Sequence, residues 1–282
     1  MKDFADKVAV ITGAAEGIGR AFAEKAAGLR MRLVLSDING EKLEQTAAEI
    51  REKYKVEVVA QVADVAQEAA VNALADRAYR EYGHVHLVFN NAGVALGKPS
   101  WETTTKEWEW VLGANLWGVI HGIRAFVPRM MAGDEEGHII NTASAAGLLS
   151  QPGFAAYNVS KHGVVTLTEG LYHDLTLRKS KVSASVLCPA WVKTRIADID
   201  RYNTKENPID MVSIDKIAAK GAKTVQDAVA HGTSPEGVAD ITFDAIAKNH
   251  FYILPHENIK IAVQVRMTDI IEGKQPHLLP FN

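Results

Sequence analysis

The most constraining feature of this chain lies near its start. The run Val8-Ala9-Val10-Ile11 passes directly into Thr12-Gly13-Ala14-Ala15-Glu16-Gly17-Ile18-Gly19. A compact, largely β-branched run that stops at a glycine turn reads as a buried strand. The segment that follows, GRAFAEKAAGL, has helical composition with small apolar residues along one side. A glycine turn between strand and helix lets the main chain approach a pyrophosphate, whose charge meets the helix N–H groups and dipole. The G-x-x-x-G-x-G spacing departs from the commoner G-x-G-x-x-G. A turn that only packs helix on strand accounts for the same glycines.

The strand–helix rhythm repeats along the chain. Strands are predicted at Arg32 to Ser36, Val56 to Val62, His86 to Asn90, His138 to Thr142, Val182 to Leu187 and Phe251 to Leu254. Helical spacing falls over 40–53, 67–81, 103–131 (one long helix or a bent pair), 157–178, 236–249 and 256–273. Strands separated by such helices build βαβ units, so the fold class is α/β, a doubly wound parallel sheet in three layers, α/β/α. At about 150 residues per domain, 282 residues suggest two domains. The rhythm instead runs through to the last strand, so a single domain over 1–282 is expected. The polar segment 195–235, holding Pro208 and short helical pieces at 213–219 and 223–230, breaks the rhythm and reads as a lid. Residues 256–282 read as a C-terminal helix and tail.

Composition narrows the partners. A formal charge of −3 gives no sign of a nucleic-acid surface or a polybasic membrane patch. Cys188 is the single cysteine, so an intrachain disulfide is impossible. No apolar run is long enough for a secretory leader or a membrane span. A soluble, cytoplasmic protein is expected.

Side chains with chemistry gather at strand ends. Asp37 closes the second strand, where a carboxylate accepts from adenosine ribose hydroxyls and repels the phosphate of NADP. Ile38 beside it brings no positive charge, though Lys42 and Arg20 stand near, so NAD is favoured over NADP. Taken alone, Asp37 is equally a turn or cap carboxylate. Tyr157 and Lys161 are four residues apart on one helix face. The ammonium would favour the phenolate and let Tyr157 exchange a proton near neutral pH; a solvated pair is the ordinary alternative. Ser144, at the end of HIINTAS, offers a hydroxyl to a substrate oxygen or caps a local turn. Asn115, in GANLWG, fits a helical bend or a water network. His84, His86 and His162 read as structural or surface residues, and no metal is expected.

These residues together resemble the short-chain dehydrogenase/reductase family, of its classical type, over nearly the whole chain. TGAAEGIG matches its glycine motif, NNAG at 90–93 follows the fourth strand, and Asn115, Ser144, Tyr157 and Lys161 match its tetrad. The resemblance implies a Rossmann-like fold and a cofactor site built from Gly13, Glu16, Gly17, Ile18, Gly19, Asp37, Asp64, Val65, Asn91, Ala92, Gly93, Tyr157, Lys161, Val192 and Thr194. It implies that Tyr157 is the general acid or base, that Lys161 binds the nicotinamide ribose and lowers the tyrosine pKa, that Ser144 holds the reacting oxygen and that Asn115 orders a water linked to Lys161. It also implies a homotetramer or homodimer formed through 103–131 and 157–178. PAWVKT at 189–194 resembles the family's P-G-x-V-x-T, with Ala190 in place of glycine.

Leu96, Leu148, Phe154, Trp191, Ile196 and Met211 are candidate pocket linings. Their apolar character favours a hydrophobic secondary alcohol or ketone, because a charged substrate needs a fixed ionic partner. Arg195 is the exception and the candidate for a polar substrate end. MKDFADKVAVITG, PAWVKT and HGTSPEGVAD…HFYILPH are also similar to bacterial dehydrogenases that act on benzylic alcohols of lignin-derived aryl ethers. An aromatic or alicyclic secondary alcohol is therefore expected. Polyol, sugar, steroid-like and acyl substrates stand as alternatives, as does a catalytically silent nucleotide-binding or structural protein.

Overall fold

β-branched and aliphatic runs that are buried on both faces can only sit inside a covered sheet, and that is where they lie. The computed structural model describes residues 1–198, 202 and 216–278, with 216–222 described by their backbone alone. Strands β1 (Val8–Thr12), β2 (Arg32–Asp37), β3 (Val58–Val62), β4 (Leu87–Asn90), β5 (Gly137–Thr142), β6 (Val182–Leu187) and β7 (Tyr252–Ile253) form one sheet in the order β3-β2-β1-β4-β5-β6-β7. All six pairings are parallel. The chain winds outward from β1 to β3, then returns to place β4 against the other side of β1. That reversal opens a crevice at the carboxyl ends of β1 and β4, where ligands bind in sheets of this kind.

Alternation within each strand feeds two apolar layers. Ala9, Ile11, Leu33, Leu35 and Phe89 pack on one face against α1 (Gly17–Gly28), α2 (Gly40–Tyr54) and α8 (Pro235–Lys248). Val8, Val10, Val34, Val88 and Ile139 pack on the other against α3 (Glu68–Tyr82), α5 (Gly118–Ala132) and α6 (Ala155–Leu177). Phe22 and Phe89 meet at 4.6 Å between ring centroids, and Phe89 meets Phe243 at 5.5 Å. Each buried phenyl contributes about 1.5–3 kcal/mol. The fold is thus the three-layer doubly wound sheet expected.

Local chemistry sets the helix ends. The Asn39 side chain accepts from Lys42 N–H to start α2, and Ser234 caps α8 with Pro235 in its first turn. Thr104 and Glu107 form a reciprocal capping box on α4 (Thr105–Leu112). The helical stretch 103–131 resolves as a bent pair. α4 and α5 are joined by a π-helical segment, Gly113–Trp117, with Asn115 buried in it; such bulges widen a helix by one residue per turn and re-aim side chains.

Three boundaries differ from the sequence reading. β3 begins at Val58, and β7 is two residues long, pairing only with Val186 and Leu187 before Pro255 interrupts. The two short helical pieces expected at 213–219 and 223–230 are one helix in the described residues, α7 (Lys216–Ala230), with 213–215 lying outside them. The last helix, α9 (Asn258–Glu272), runs beside the carboxyl end of the sheet: Ile259 packs with Ala145 and Leu149. Among the described residues no helix is long and apolar enough to cross a membrane.

Candidate active site

A cavity of about 1390 Å³ lies along the carboxyl ends of the strands. Its floor begins at the glycine turn. Gly13 and Gly17 have φ of +65° and +59°, in the region that side chains disfavour. A Cβ on Gly19 would stand 2.0 Å from the Gly13 carbonyl oxygen, and one on Gly13 would stand 2.8 Å from Ala92 Cα. Thr12 stitches this turn to the next strand: its Oγ1 donates to the Phe89 carbonyl and accepts from the Asn91 and Ala92 N–H groups at 2.9 and 3.1 Å. Asn91 Nδ2 donates to the Thr12 carbonyl at 3.0 Å. The side chain of Glu16, at the N-cap of α1, makes no capping hydrogen bond. The first-turn N–H groups of α1 are therefore not consumed by their own cap.

The acidic residues of this end are held by the main chain. Asp37 accepts from Ala15 N–H at 3.1 Å and Asn39 N–H at 3.0 Å. It is thus a turn carboxylate and also lines the cavity, with Ile38 exposed beside it. Asp64 accepts from Ala66 N–H at 3.0 Å, and Val65 follows it on the wall. Arg20 is drawn off to Glu24 and Glu49.

The other end carries the candidate acid–base group. Ser144 caps the short 3₁₀ turn Ala145–Gly147, accepting from Ala146 N–H, and donates to the Pro189 carbonyl at 3.3 Å. Tyr157, in the first turn of α6, lines the same wall of the cavity as Ser144. Lys161, one turn further along α6, donates to the Thr142 carbonyl at 2.9 Å, and its Nζ stands 5.7 Å from the Tyr157 ring centroid. Burial pushes the Lys161 ammonium down from its usual value to about 8. Burial also raises the Tyr157 phenol, while the Ser144 hydroxyl on the same wall pulls it back in part. The sequence led us to expect a lowered phenol; desolvation outweighs that tendency here.

Asn115 does not reach the cavity wall. Its amide closes on Val94, accepting from the N–H at 2.8 Å and donating to the carbonyl at 2.9 Å, and it donates to Ser160 Oγ at 3.0 Å. A Cβ on Gly93 would stand 2.9 Å from Asn115 Oδ1 and 3.5 Å from Lys161 Nζ, so these two groups approach each other across a glycine. The remaining predicted cofactor residues, Gly17, Ile18, Asn91, Ala92, Gly93, Val192 and Thr194, all line the cavity.

On the substrate side the outcome is mixed. Phe154, Trp191 and Ile196 line the cavity. Leu96 is buried among Val94, Val111 and Ala156, and Leu148 packs away from the cavity, leaving its place to Leu149. A 3₁₀ turn before these leucines fixes which of the two faces the opening. Met211 lies outside the described residues. Trp110, Tyr202 of the 195–235 segment and the inner side of α9 supply further wall that the sequence reading did not name residue by residue. The spacing of Ile259, Ala262 and Val263 was the available signal for α9.

His256, also missed, secures the PAWVKT segment. Its Nδ1 accepts from Ala190 N–H at 3.2 Å, and its Nε2 meets the Trp191 carbonyl at 3.1 Å and Thr233 Oγ1 at 3.0 Å. The backbone at the Ala-for-Gly position is thus fixed from outside. Among the described residues no three metal-ligating side chains are grouped to hold an ion.

A profile described as short chain dehydrogenase matches residues 7–204. The chain is 46% identical to a short-chain dehydrogenase/reductase of Burkholderia phymatum, solved in complex with NAD, at a TM-score of 0.94 over 98% of each chain. It is 34% identical to the "CLA biosynthesis dehydrogenase/reductase" of Lactiplantibacillus plantarum, over 98% of this chain and 97% of that protein. It is 30% identical to the C alpha-dehydrogenase of a Sphingobium strain, over 98% of this chain and 89% of that one.

Proposed function

The chain belongs to the short-chain dehydrogenase/reductase family, and on that premise we propose that it interconverts a hydrophobic secondary alcohol, aromatic or alicyclic, with its ketone, using NAD. It is an oxidoreductase of the alcohol/ketone class; the substrate and the roles below are our reading. The observation that carries them is that Ser144, Tyr157 and Lys161 share one wall of the cavity that the glycine turn opens, with Lys161 Nζ 5.7 Å from the Tyr157 ring centroid.

The residues present fit a dinucleotide. Gly19 has no room for a side chain, and the N–H groups opening α1 are left for a diphosphate. Asp37, oriented by two backbone N–H groups, would take the adenosine ribose, and Arg20 is engaged by Glu24 and Glu49 rather than by a further phosphate. Asp64 and Val65 would flank the adenine. Asn91, Ala92, Gly93, Val192 and Thr194 would hold the nicotinamide half together with Lys161. NAD, when bound, supplies the hydride acceptor or donor.

The chain's own work is positioning and proton transfer. Ser144 Oγ would hold the substrate oxygen. In oxidation Tyr157 takes the hydroxyl proton, and in reduction it returns one to the same oxygen. Lys161 would bind the ribose and hold positive charge near the phenol. Asn115 would act through the Val94 backbone and Ser160, since its amide is occupied there. The segment 195–235 would be the lid, since Ile196, Asp198, Val225 and Val229 from it line the cavity. The exposed Trp117 and Val159, on the surface of the π-helical segment and of α6, favour assembly as a homodimer or homotetramer through those elements.

Tyr157→Phe tests the reading. It should retain NADH binding in a fluorescence titration yet lose about 10²- to 10⁴-fold in oxidation of a secondary alcohol panel. Undiminished turnover would remove Tyr157 from the acid–base role. A panel of NAD- and NADP-linked alcohols and matched ketones checks cofactor and substrate class together.

A further inference from the structure

We propose that the substrate carries a carboxylate on an otherwise apolar body, and that Arg266 of α9 binds it; this rests on the dehydrogenase reading above. A charged end can enter an apolar cavity only against a fixed ionic partner. Arg195, the candidate from sequence, is committed to Asp198 and stands 4.0 Å from Glu16. Lys161 donates to the Thr142 carbonyl, Lys274 pairs with Glu272, and Lys42 lies in the first turn of α2 beside Asp37. Arg266 is half-buried on the cavity wall and makes no ion pair or hydrogen bond with any described residue.

Its natural helix partner has been removed from competition. Asp269 lies one turn on and is buried. Both its oxygens accept from His277, at 3.1 Å from the backbone N–H and at 2.7 and 2.9 Å from Nδ1. These bonds tie the carboxylate to the tail and hold it below the usual carboxyl range. A guanidinium with no partner among the described residues, beside apolar wall, is suited to a bidentate carboxylate.

The helix also sets a length. Ile259 and Ala262 pack on Ala145, Leu149 and Ala190, next to Ser144. Arg266 continues that stripe, one turn past Ala262 and two turns past Ile259, which is about 10 Å along the axis from Ile259. The anion should therefore stand on the order of 10 Å from the carbinol carbon.

A rigid probe of this shape is a biphenyl with a methylcarbinol, CH(OH)CH₃, at one para position and a carboxylate at the other; its methyl ester is the neutral control. The wild type should prefer the acid over the ester by about 10- to 100-fold in kcat/KM, chiefly through KM. Arg266→Gln should lose that preference with the ester rate unchanged, and Arg266→Lys should restore part of it. Equal use of acid and ester by the wild type, or equal slowing of both in Arg266→Gln, would overturn the assignment. So would failure on both compounds by an enzyme that oxidises other secondary alcohols. Failure on every secondary alcohol would instead strike the dehydrogenase reading itself.

Discussion

Lys98 and Glu107 form an ion pair that is almost wholly out of water, and Glu107→Gln measures what it holds. Their side chains are 1% and 3% exposed, with Nζ and Oε1 at 2.9 Å. Glu107 Oε2 also accepts from Thr104 N–H at 2.8 Å, closing the capping box of α4. Glutamine keeps the shape and an oxygen for that N–H, so the substitution removes charge with little else. An ammonium left buried and unpaired costs about 3–5 kcal/mol. For a chain of this size that corresponds to a fall of about 10 °C in Tm. The double variant Lys98→Met with Glu107→Gln removes both charges and should recover most of the loss, because apolar replacement of a buried pair is often close to neutral. Thermal unfolding and urea titration of the four proteins in the cycle give the coupling, expected at about 2–4 kcal/mol. A Glu107→Gln variant within about 2 °C of wild type would refute the reasoning. So would a double variant no better than the single. The pair has a structural consequence too. The Lys98 carbonyl accepts from Ala155 N–H at 3.4 Å, at the start of the helix that carries Tyr157.

Two further outcomes follow from the same geometry. Gly19→Ala places a Cβ 2.0 Å from the Gly13 carbonyl oxygen and 2.7 Å from Asn91 Nδ2; NADH affinity by fluorescence titration should fall by at least about 100-fold, and an unchanged affinity would deny the turn its cofactor role. For pH, burial lowers Lys161 to about 8 and raises Tyr157, so the pair keeps both protons below about 8 and releases one above it. Oxidation needs a site able to take a proton and reduction needs one able to give it. Oxidation kcat/KM should therefore rise, and reduction fall, as pH passes upward through about 8. Flat profiles in both directions between about pH 7 and 9 would contradict the assignment.

The parts of this molecule that were legible in its sequence are those whose geometry is local. Val8 to Ile11 is a strand because a short β-branched run with apolar faces on both sides has few other solutions. Tyr157 and Lys161 share a helix face at any position of that helix in the fold. Asp37 was legible in both its meanings, since a carboxylate at a strand end can hold its turn and still border the crevice. Leu148 and Leu149 were not separable, because a 3₁₀ turn of three residues decides which one faces inward and leaves no periodic trace. Asn115 was found by its place in a motif, yet its partners depend on a π-helical segment that brings it against Val94 and Ser160.

Charged residues were the least legible, for a reason of energy rather than pattern. A lysine in a polar loop normally reaches solvent, so nothing in GVALGKPSWETTTKEWEW marks Lys98 as buried. Only the folded approach of Glu107 makes that burial tolerable. Arg266 shows the converse. On α9 it has the look of a solvated helix residue, with Asp269 at pairing distance in sequence. Its availability arises because the tail folds back and His277 takes that aspartate, an event fixed by tertiary contact eight residues on. The commitment of Arg195 to Asp198 is equally a matter of folded geometry. The sequence therefore pointed to Arg195 alone, while the competition among carboxylates, settled only in the fold, leaves Arg266 on the cavity wall and Arg195 occupied.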